Sequence, residues 1–176
     1  AGHARAVERA GALLTSRDPD MANRLASDAY TAALRRLLIS EQYDVVQVEG
    51  MEMASYGLQI PLWFDADPPR IVFDDLNAEY LLQRRACLTD LKRPRRWPQA
   101  AYSSIQWSRL RRYERLVCER ADATLAVSQL DAEAIAGLAP GVVPLVVPNG
   151  VDTQGYRTDL PDSLPLKHPN LVFTGK

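Results

Sequence analysis

Residues 121–140 read ADATLAVSQLDAEAIAGLAP, in which a short aliphatic run leads directly into a helix start. The run Ala123–Val127 has the length and aliphatic content of a buried strand. Ser128 and Asp131 follow it three residues apart, a spacing in which a serine caps a helix and an acidic residue supports the cap. A strand followed at once by a helix is the local unit of an α/β fold.

Three other apolar runs have the same character, and they are Val45–Val48, Ile71–Phe73 and Val142–Val147. Helical stretches separate most of the runs, one after Asn77 and another from about Gln99 to Arg120. Strands that alternate with helices favour parallel pairing through helical crossovers. We therefore predict a Rossmann-like α/β fold, an open and mostly parallel sheet flanked by helices.

A helix is also predicted before the first strand. Asp18 precedes Pro19, which is the order of an N-cap and a first helical residue. Apolar residues then recur in steps of four, at Met21, Leu25, Ala29, Ala33 and Leu37. We expect one continuous helix whose apolar stripe faces the core.

Composition narrows the class of protein. A chain of 176 residues with 47% hydrophobic residues fits one domain, and the net charge of -1 gives no reason to expect nucleic acid. No apolar run approaches the roughly 18 residues that a membrane span requires.

Cys87 and Cys118 lack metal-ligand or redox spacing, so we expect a reducing, cytoplasmic setting. The start at Ala1 and the stop at Lys176 suggest that both ends are cut.

The known nucleotide-binding and nucleophile patterns are absent. The sequence contains no G-x-G-x-x-G, no G-x-x-x-x-G-K-[ST] and no G-x-S-x-G. It also contains no cluster of metal-ligand residues, so we expect neither a bound metal nor a cofactor.

Polar residues follow each predicted strand. In an open parallel sheet, ligands collect at the carboxyl ends of the strands, where the loops and helix N-termini converge. The candidates chosen by this rule are Glu49, Gly50, Asp75, Asn77, Glu79, Ser128, Asn149 and Gly150. Each also has a structural interpretation: Asn77 and Ser128 are good helix caps, Glu79 suits a first helical turn, and Asn149-Gly150 fits a turn with positive φ.

Five segments stand in an order that resembles the family-four glycosyltransferases of GT-B fold, above all bacterial enzymes of polysaccharide and exopolysaccharide assembly. They are Tyr43–Gly50, Asn77–Tyr80, Glu119–Ser128, Val147–Asp152 and Leu171–Gly175. The resemblance extends from about Asp18 onward. Val147–Asp152 is its most specific part, because in that family the motif ends the N-terminal lobe.

The resemblance implies transfer of a sugar from a nucleotide-sugar donor to an acceptor hydroxyl, with retention of configuration and usually without a metal. The acceptor is held mainly by the N-terminal lobe and the donor mainly by the C-terminal lobe. Family members often carry a histidine near the reacting sugar, and Leu76 stands at the nearest position here. The roles implied are catalytic for Asp75 and Asn77, acceptor-binding for Glu49, Gly50, Glu79 and Ser128, and a place at the interdomain cleft for Asn149 and Gly150.

The resemblance also implies boundaries. Residues 1–152 form an acceptor-side lobe that lacks its first strands, residues 153–170 form a linker, and residues 171–176 are the first strand of a missing C-terminal lobe. We expect no transfer from these residues alone.

The segment from Arg84 to Arg120 carries eleven basic residues against three acidic ones. It includes a proline-interrupted basic loop with Arg93, Arg95, Arg96 and Trp97. One interpretation is a solvated helix face. The other is contact with an anionic membrane or with the phosphate of a lipid-linked saccharide acceptor, at the inner face of the cell membrane.

Two other functions fit the sequence. One is a non-catalytic basic module that binds anionic lipid or nucleic acid, which steep salt dependence would identify. The other is a lobe of a nucleotide-sugar epimerase of similar fold.

Overall fold

The structure is a computed structural model that describes residues 17–155. Its centre is a four-stranded sheet, made of β1 (Val45–Glu49), β2 (Arg70–Asp75), β3 (Ala123–Ala126) and β4 (Leu145–Val146). All three pairings are parallel, and the strands lie in the order β1-β2-β3-β4. The predicted parallel α/β fold is confirmed.

Six α-helices and two 3₁₀ turns surround this sheet in the described part of the chain. The helices are α1 (Asp20–Asn23), α2 (Asp28–Ser40), α3 (Ala54–Gln59), α4 (Glu79–Leu91), α5 (Trp97–Arg120) and α6 (Gln129–Leu138). The 3₁₀ turns are Ile60–Trp63 and Pro94–Arg96. The prediction for Ser128 as a helix cap is confirmed, because its hydroxyl accepts a hydrogen bond from the Asp131 N–H.

The single helix expected before β1 is wrong. The chain forms α1 and α2 with a break between them, where the Tyr56 hydroxyl donates to the Leu25 carbonyl at 2.6 Å and accepts from the Ser27 N–H at 2.9 Å. The Ser27 side chain then caps α2. The break rotates the predicted stripe away from the core, so that Leu25 is 52% and Leu37 47% exposed.

The last strand is shorter than predicted. Of the run Val142–Val147, only Leu145–Val146 pairs with β3. Pro144 and Pro148 bracket this segment, and proline has no N–H for a ladder hydrogen bond. The proposed linker and the proposed strand at 171–176 lie outside the described residues, apart from the first few linker residues.

The core lies between the sheet and helices α3, α5 and α6. Phe73 of β2 and Ile135 of α6 are fully buried, and α5 contributes Val117 to the same apolar cluster. Helix α3 approaches β1 closely at Gly57, where an added Cβ would lie 2.8 Å from a methyl carbon of Val48. Glycine at this position therefore sets the distance between α3 and the sheet.

Asp122 joins β2 and β3 at the amino ends of the strands. Its carboxylate accepts from the Ile71 N–H and from the Arg70 guanidinium, both at 2.8 Å. These hydrogen bonds lower the pKa of Asp122. The link fixes the two strands in register, so that their carboxyl ends also align.

Helices α4 and α5 pack along each other and are joined by the turn at Pro94–Arg96. Cys87 and Cys118 are both buried, one on each helix. Between residues 17 and 155, no helix is both long and apolar enough to cross a bilayer.

Candidate functional site

The carboxyl ends of the four strands form one edge of the sheet. Glu49 ends β1, Asn77 follows β2, Ser128 follows β3 and Asn149 follows β4. Because every pairing is parallel, these positions lie along the same edge. We call this edge, with the loops that follow its strands, the rim.

Gly50 turns the chain at the end of β1. Its φ is +75°, a left-handed value that glycine adopts without strain, and its N–H donates to the Asp74 carbonyl at 2.9 Å. An added Cβ would lie 3.5 Å from a Glu52 carboxylate oxygen and 3.8 Å from Leu76. The turn therefore places the loop after β1 directly against the loop after β2.

Glu49 is exposed on the rim beside this turn. The Gln47 side-chain amide donates to Asp74 at 3.1 Å and lies 3.5 Å from the Glu49 carboxylate. One amide thus holds together two carboxylates from adjacent strands. Both carboxylates keep lone pairs that can accept hydrogen bonds from a ligand's hydroxyl groups.

Asn77 and Glu79 form the second polar group of the rim. Asn77 is exposed, and its side chain hydrogen-bonds Glu79, which lowers the pKa of that half-buried carboxyl. Burial and the neighbouring Glu52 act in the opposite direction and more strongly, so the pKa of Glu79 is raised overall. The neutral Asn77 amide and the ionisable Glu79 carboxyl group therefore lie side by side on the rim.

Asp75 does not reach the rim surface. It is only 1% exposed, and neither carboxyl oxygen has a hydrogen-bond partner among the N–H and O–H groups of the described residues. Burial, and then repulsion by Glu114, raise the pKa of Asp75 to about 10. A substrate does not touch a group in this position, so the direct catalytic contact predicted for Asp75 does not fit the structure.

Glu114 is a residue of this region that the sequence analysis missed. It is 0% exposed, and its two carboxyl oxygens accept hydrogen bonds from the N–H groups of Glu79 at 3.0 Å and Tyr80 at 2.8 Å. These N–H groups open helix α4, which has no side-chain cap from its own N-cap residue, Ala78. Glu114 therefore satisfies unpaired donors of a helix that lies far from it in the sequence.

Asp75 and Glu114 form a buried pair of carboxyl groups. Burial also raises the pKa of Glu114, to about 7, although the backbone hydrogen bonds work against that rise. Two neighbouring carboxyl groups avoid mutual repulsion when one of them carries a proton. Since the pKa of Asp75 is raised further, the proton of the pair resides on Asp75.

The Ser128 hydroxyl is occupied by local contacts. It accepts from the Asp131 N–H at 3.1 Å and donates to the Asp131 carboxylate. The other oxygen of that carboxylate lies 3.4 Å from the Ala78 N–H. Helix α6 is thereby linked to the loop that carries Asn77.

Asn149 and Gly150 lie in an exposed loop after β4. The Val147 N–H donates to the Ala126 carbonyl at 2.8 Å, which holds the start of this loop against β3. Gly150 does not have the positive φ that a turn interpretation requires, since among glycines in residues 17–155 only Gly50 and Gly141 do.

The segment Arg93–Trp97, which we call the basic turn, joins α4 to α5. It lies at the end of this helix pair that is away from the rim. Trp97 is 60% exposed, and its indole N–H donates to the Leu91 carbonyl at 3.4 Å. Arg96 pairs with Asp90 at 3.0 Å, whereas Arg93 and Arg95 form no ion pair with any residue that the structure describes.

The rim has the composition of a site for a hydroxyl-rich ligand. It offers exposed carboxylate and amide groups from two adjacent loops. Over residues 17–155 there is no group of three His, Cys, Asp or Glu side chains placed to hold a metal ion.

Comparison with known proteins agrees with this architecture. The model of the family described as Glycosyltransferase Family 4 matches residues 3–154. No curated protein and no solved structure matches the chain significantly. A parallel α/β sheet flanked by helices is consistent with the N-terminal lobe of the GT-B fold. Since the match covers far more than half of the sequence, the chain belongs to glycosyltransferase family 4.

Proposed function

We propose that this chain provides the acceptor-side lobe of a retaining glycosyltransferase that moves a sugar from a nucleotide-sugar donor to an acceptor hydroxyl in cell-surface polysaccharide synthesis. The observation that carries the proposal is the rim, where exposed polar groups from adjacent parallel strands meet in a chain of this family. Sugar hydroxyls are matched by carboxylate and amide groups of this kind.

In this proposal, Glu49 and Asn77 contact the acceptor. Both are exposed: Glu49 ends β1 beside Gly50, and Asn77 follows Leu76, which lies against that glycine. Carboxylate and amide oxygens can accept hydrogen bonds from acceptor hydroxyls and so orient the attacking oxygen. Glu79 holds the Asn77 side chain, and the buried Asp75–Glu114 pair positions the loop between β2 and α4.

The remaining part of the active site comes from a second lobe. Residues 1–152 belong to the acceptor-side lobe, residues 153–170 lead out of it and residues 171–176 begin the next lobe. Asn149 and Gly150 then face the cleft between the lobes, since their loop leaves the same edge of the sheet. The nucleotide sugar is a substrate of this cleft, and the chemistry requires no further cofactor.

The acceptor is proposed to be lipid-linked, because the lobe carries an exposed basic surface. In the basic turn, Arg93 and Arg95 are free to meet anionic headgroups and Trp97 presents an exposed ring. Such a combination suits the interface of an anionic membrane, where an indole and basic side chains both bind. The turn lies at one end of α5, opposite the end that leads into β3.

The test of sugar transfer uses a longer chain that carries the proposed second lobe, screened against nucleotide sugars with saccharide acceptors. Asn77→Ala and Glu49→Ala should each lower kcat/KM at least tenfold while the melting temperature stays within about 2 °C, since both side chains are exposed. The control is Glu41→Ala, which removes an exposed carboxylate before β1, at the opposite edge of the sheet. Neither binding nor turnover of any nucleotide sugar would contradict the proposal.

The membrane contact is tested separately by co-sedimentation with phosphatidylglycerol vesicles. A variant with Arg93→Gln and Arg95→Gln should lose most retention, and retention of the unchanged chain should fall steeply as salt rises. The matched control changes Arg35 and Arg36 of α2 to Gln. Equal losses in the two double variants would show that charge alone, and not the basic turn, governs retention.

A further inference from the structure

A pocket lies on the outer side of the lobe, between helices α4, α5 and α6, and the proposed acceptor site makes no use of it. Its volume is about 240 Å³. Tyr80 and Arg84 line it from α4, Trp107 and Arg111 from α5, and Gly137 from α6. The members of the first two pairs are four residues apart, so each pair lies on one face of its helix.

Two positive charges meet at this pocket. The guanidinium carbon of Arg84 lies 5.9 Å from the centroid of the Trp107 ring. Burial, and then the charge of Glu114, raise the pKa of the Tyr80 phenol, and the charges of Arg111 and Arg84 oppose that rise. No carboxylate in the described part of the chain forms an ion pair with either arginine.

Trp107, whose ring lines the pocket, carries a buried hydrogen-bond donor without a partner among residues 17–155. The indole nitrogen of Trp107 is buried and has no hydrogen-bond partner in the part of the chain described. Buried donors are normally paired, because an unpaired one costs about 1–3 kcal/mol. Across the pocket, an added Cβ on Gly137 would find no atom within 4 Å, so the space is open.

These features together fit an anion with several oxygen atoms. Two guanidinium groups provide forked donors that match phosphate geometry. We propose that the pocket binds a phosphate group, held between Arg84 and Arg111 beside the Trp107 ring. The group belongs either to a free phosphate ester or to a lipid headgroup.

The experiment follows the indole N–H signal of Trp107 by ¹H–¹⁵N NMR while sodium pyrophosphate is added at constant ionic strength. Trp107→Phe identifies the signal among those of the three tryptophans. A saturable shift is expected, and Arg84→Gln or Arg111→Gln should weaken the affinity at least tenfold. Arg85→Gln is the control, because it removes the same charge from an exposed position of α4 outside the pocket lining, and should change affinity less than twofold.

A second variant tests the cavity itself. Gly137→Leu places a side chain in the open space and should abolish the shift, while Gly137→Ala reports whether a substitution at this position preserves the fold. The proposal is overturned if the Trp107 signal does not move, if its shift does not saturate, or if Arg85→Gln weakens binding as much as Arg84→Gln does.

The source of the phosphate is distinguished by vesicles of phosphatidylglycerol and of phosphatidylcholine. Retention on the former that requires Arg84 and Arg111, and that pyrophosphate displaces, identifies a lipid headgroup. A saturable pyrophosphate shift without such retention identifies a free phosphate ester.

Discussion

The Glu114 carboxylate accepts a hydrogen bond from the Tyr80 N–H at 2.8 Å and so caps a helix that begins 35 residues before it in the chain. A second bond, from the Glu79 N–H, uses the other carboxyl oxygen. Both bonds act on the segment that immediately follows Asn77. The position of the candidate site is therefore set by a buried residue of α5 that does not itself reach the rim.

Removing this cap should destabilise the fold. Glu114→Ala leaves two partly buried N–H groups without partners, and we expect the free energy of unfolding to fall by roughly 2–4 kcal/mol. Glu114→Gln keeps one acceptor oxygen and should cost less. Urea denaturation measures both. The control is Glu119→Ala on the same helix, which loses only an exposed pair with Arg115 and should stay within about 0.5 kcal/mol of the unchanged chain.

The carboxyl pair should make stability depend on pH. The folded state raises the pKa of Asp75 from 3.8 to about 10, so the folded chain holds a proton that the unfolded chain releases as pH rises. Stability from this group is complete below pH 3.8 and falls as pH rises toward 10. Glu114, with its pKa raised to about 7, acts in the same direction between pH 4.5 and 7.

Asp75→Asn tests this sign, because the amide has nearly the size and shape of the carboxyl group but does not titrate. Between pH 5.5 and 8.5, the stability of the variant relative to the unchanged chain should rise by at most about 1.4 kcal/mol per pH unit. Denaturation curves at several pH values give this difference, in which the effects of titrating groups that do not interact with Asp75 cancel. Parallel pH profiles for the two proteins would refute the assignment of the proton to Asp75.

Ser128→Ala should remove the cap of α6. We expect a loss of about 1 kcal/mol, because the Asp131 N–H is left without its acceptor. Thermal melting followed by circular dichroism measures the change. Ser104→Ala, at an exposed position of α5, is the comparison and should leave the melting temperature almost unchanged. A similar drop for both serines would contradict the capping role.

Gly57→Ala should push α3 away from β1. The added methyl would lie 2.8 Å from Val48, and crowding of this kind in a packed core costs roughly 1–3 kcal/mol. Combining it with Val48→Ala should recover part of the loss, which a double-mutant cycle measures. Gly137→Ala, where nothing lies within 4 Å, should instead stabilise its helix by about 0.5–1 kcal/mol. Losses that simply add in the double variant would argue against the contact.

The fold was predictable where the signals are local. The strand at Ala123, the Ser128 cap and the parallel pairing all follow from short runs and their order. The rim follows as well, because parallel strands bring their ends to one edge. The break before α2 was not predicted, since the Tyr56 hydroxyl that bridges Leu25 and Ser27 lies 29 residues beyond Ser27. The Ser27 cap of α2 is a local signal.

The chemistry of the site was less predictable. Asp75 was expected to face a ligand, but it alternates with Ile71 and Phe73 and shares their buried side of β2. Extending this alternation to the last residue of β2 predicts that Asp75 lies in the core. Glu114 carried a similar signal, since it stands four residues after Leu110 and three before Val117, on the buried face of α5. The partners of Glu114 lie in another element, and no local pattern identifies them.

Helix α5 runs without interruption from Trp97 to Arg120. Its 24 residues make a rod about 36 Å long, with the basic turn at one end and strand β3 just beyond the other. Glu114 sits three quarters of the way along it. One uninterrupted helix thus carries both the basic turn and the carboxylate that holds the start of α4, next to the loop that presents Asn77.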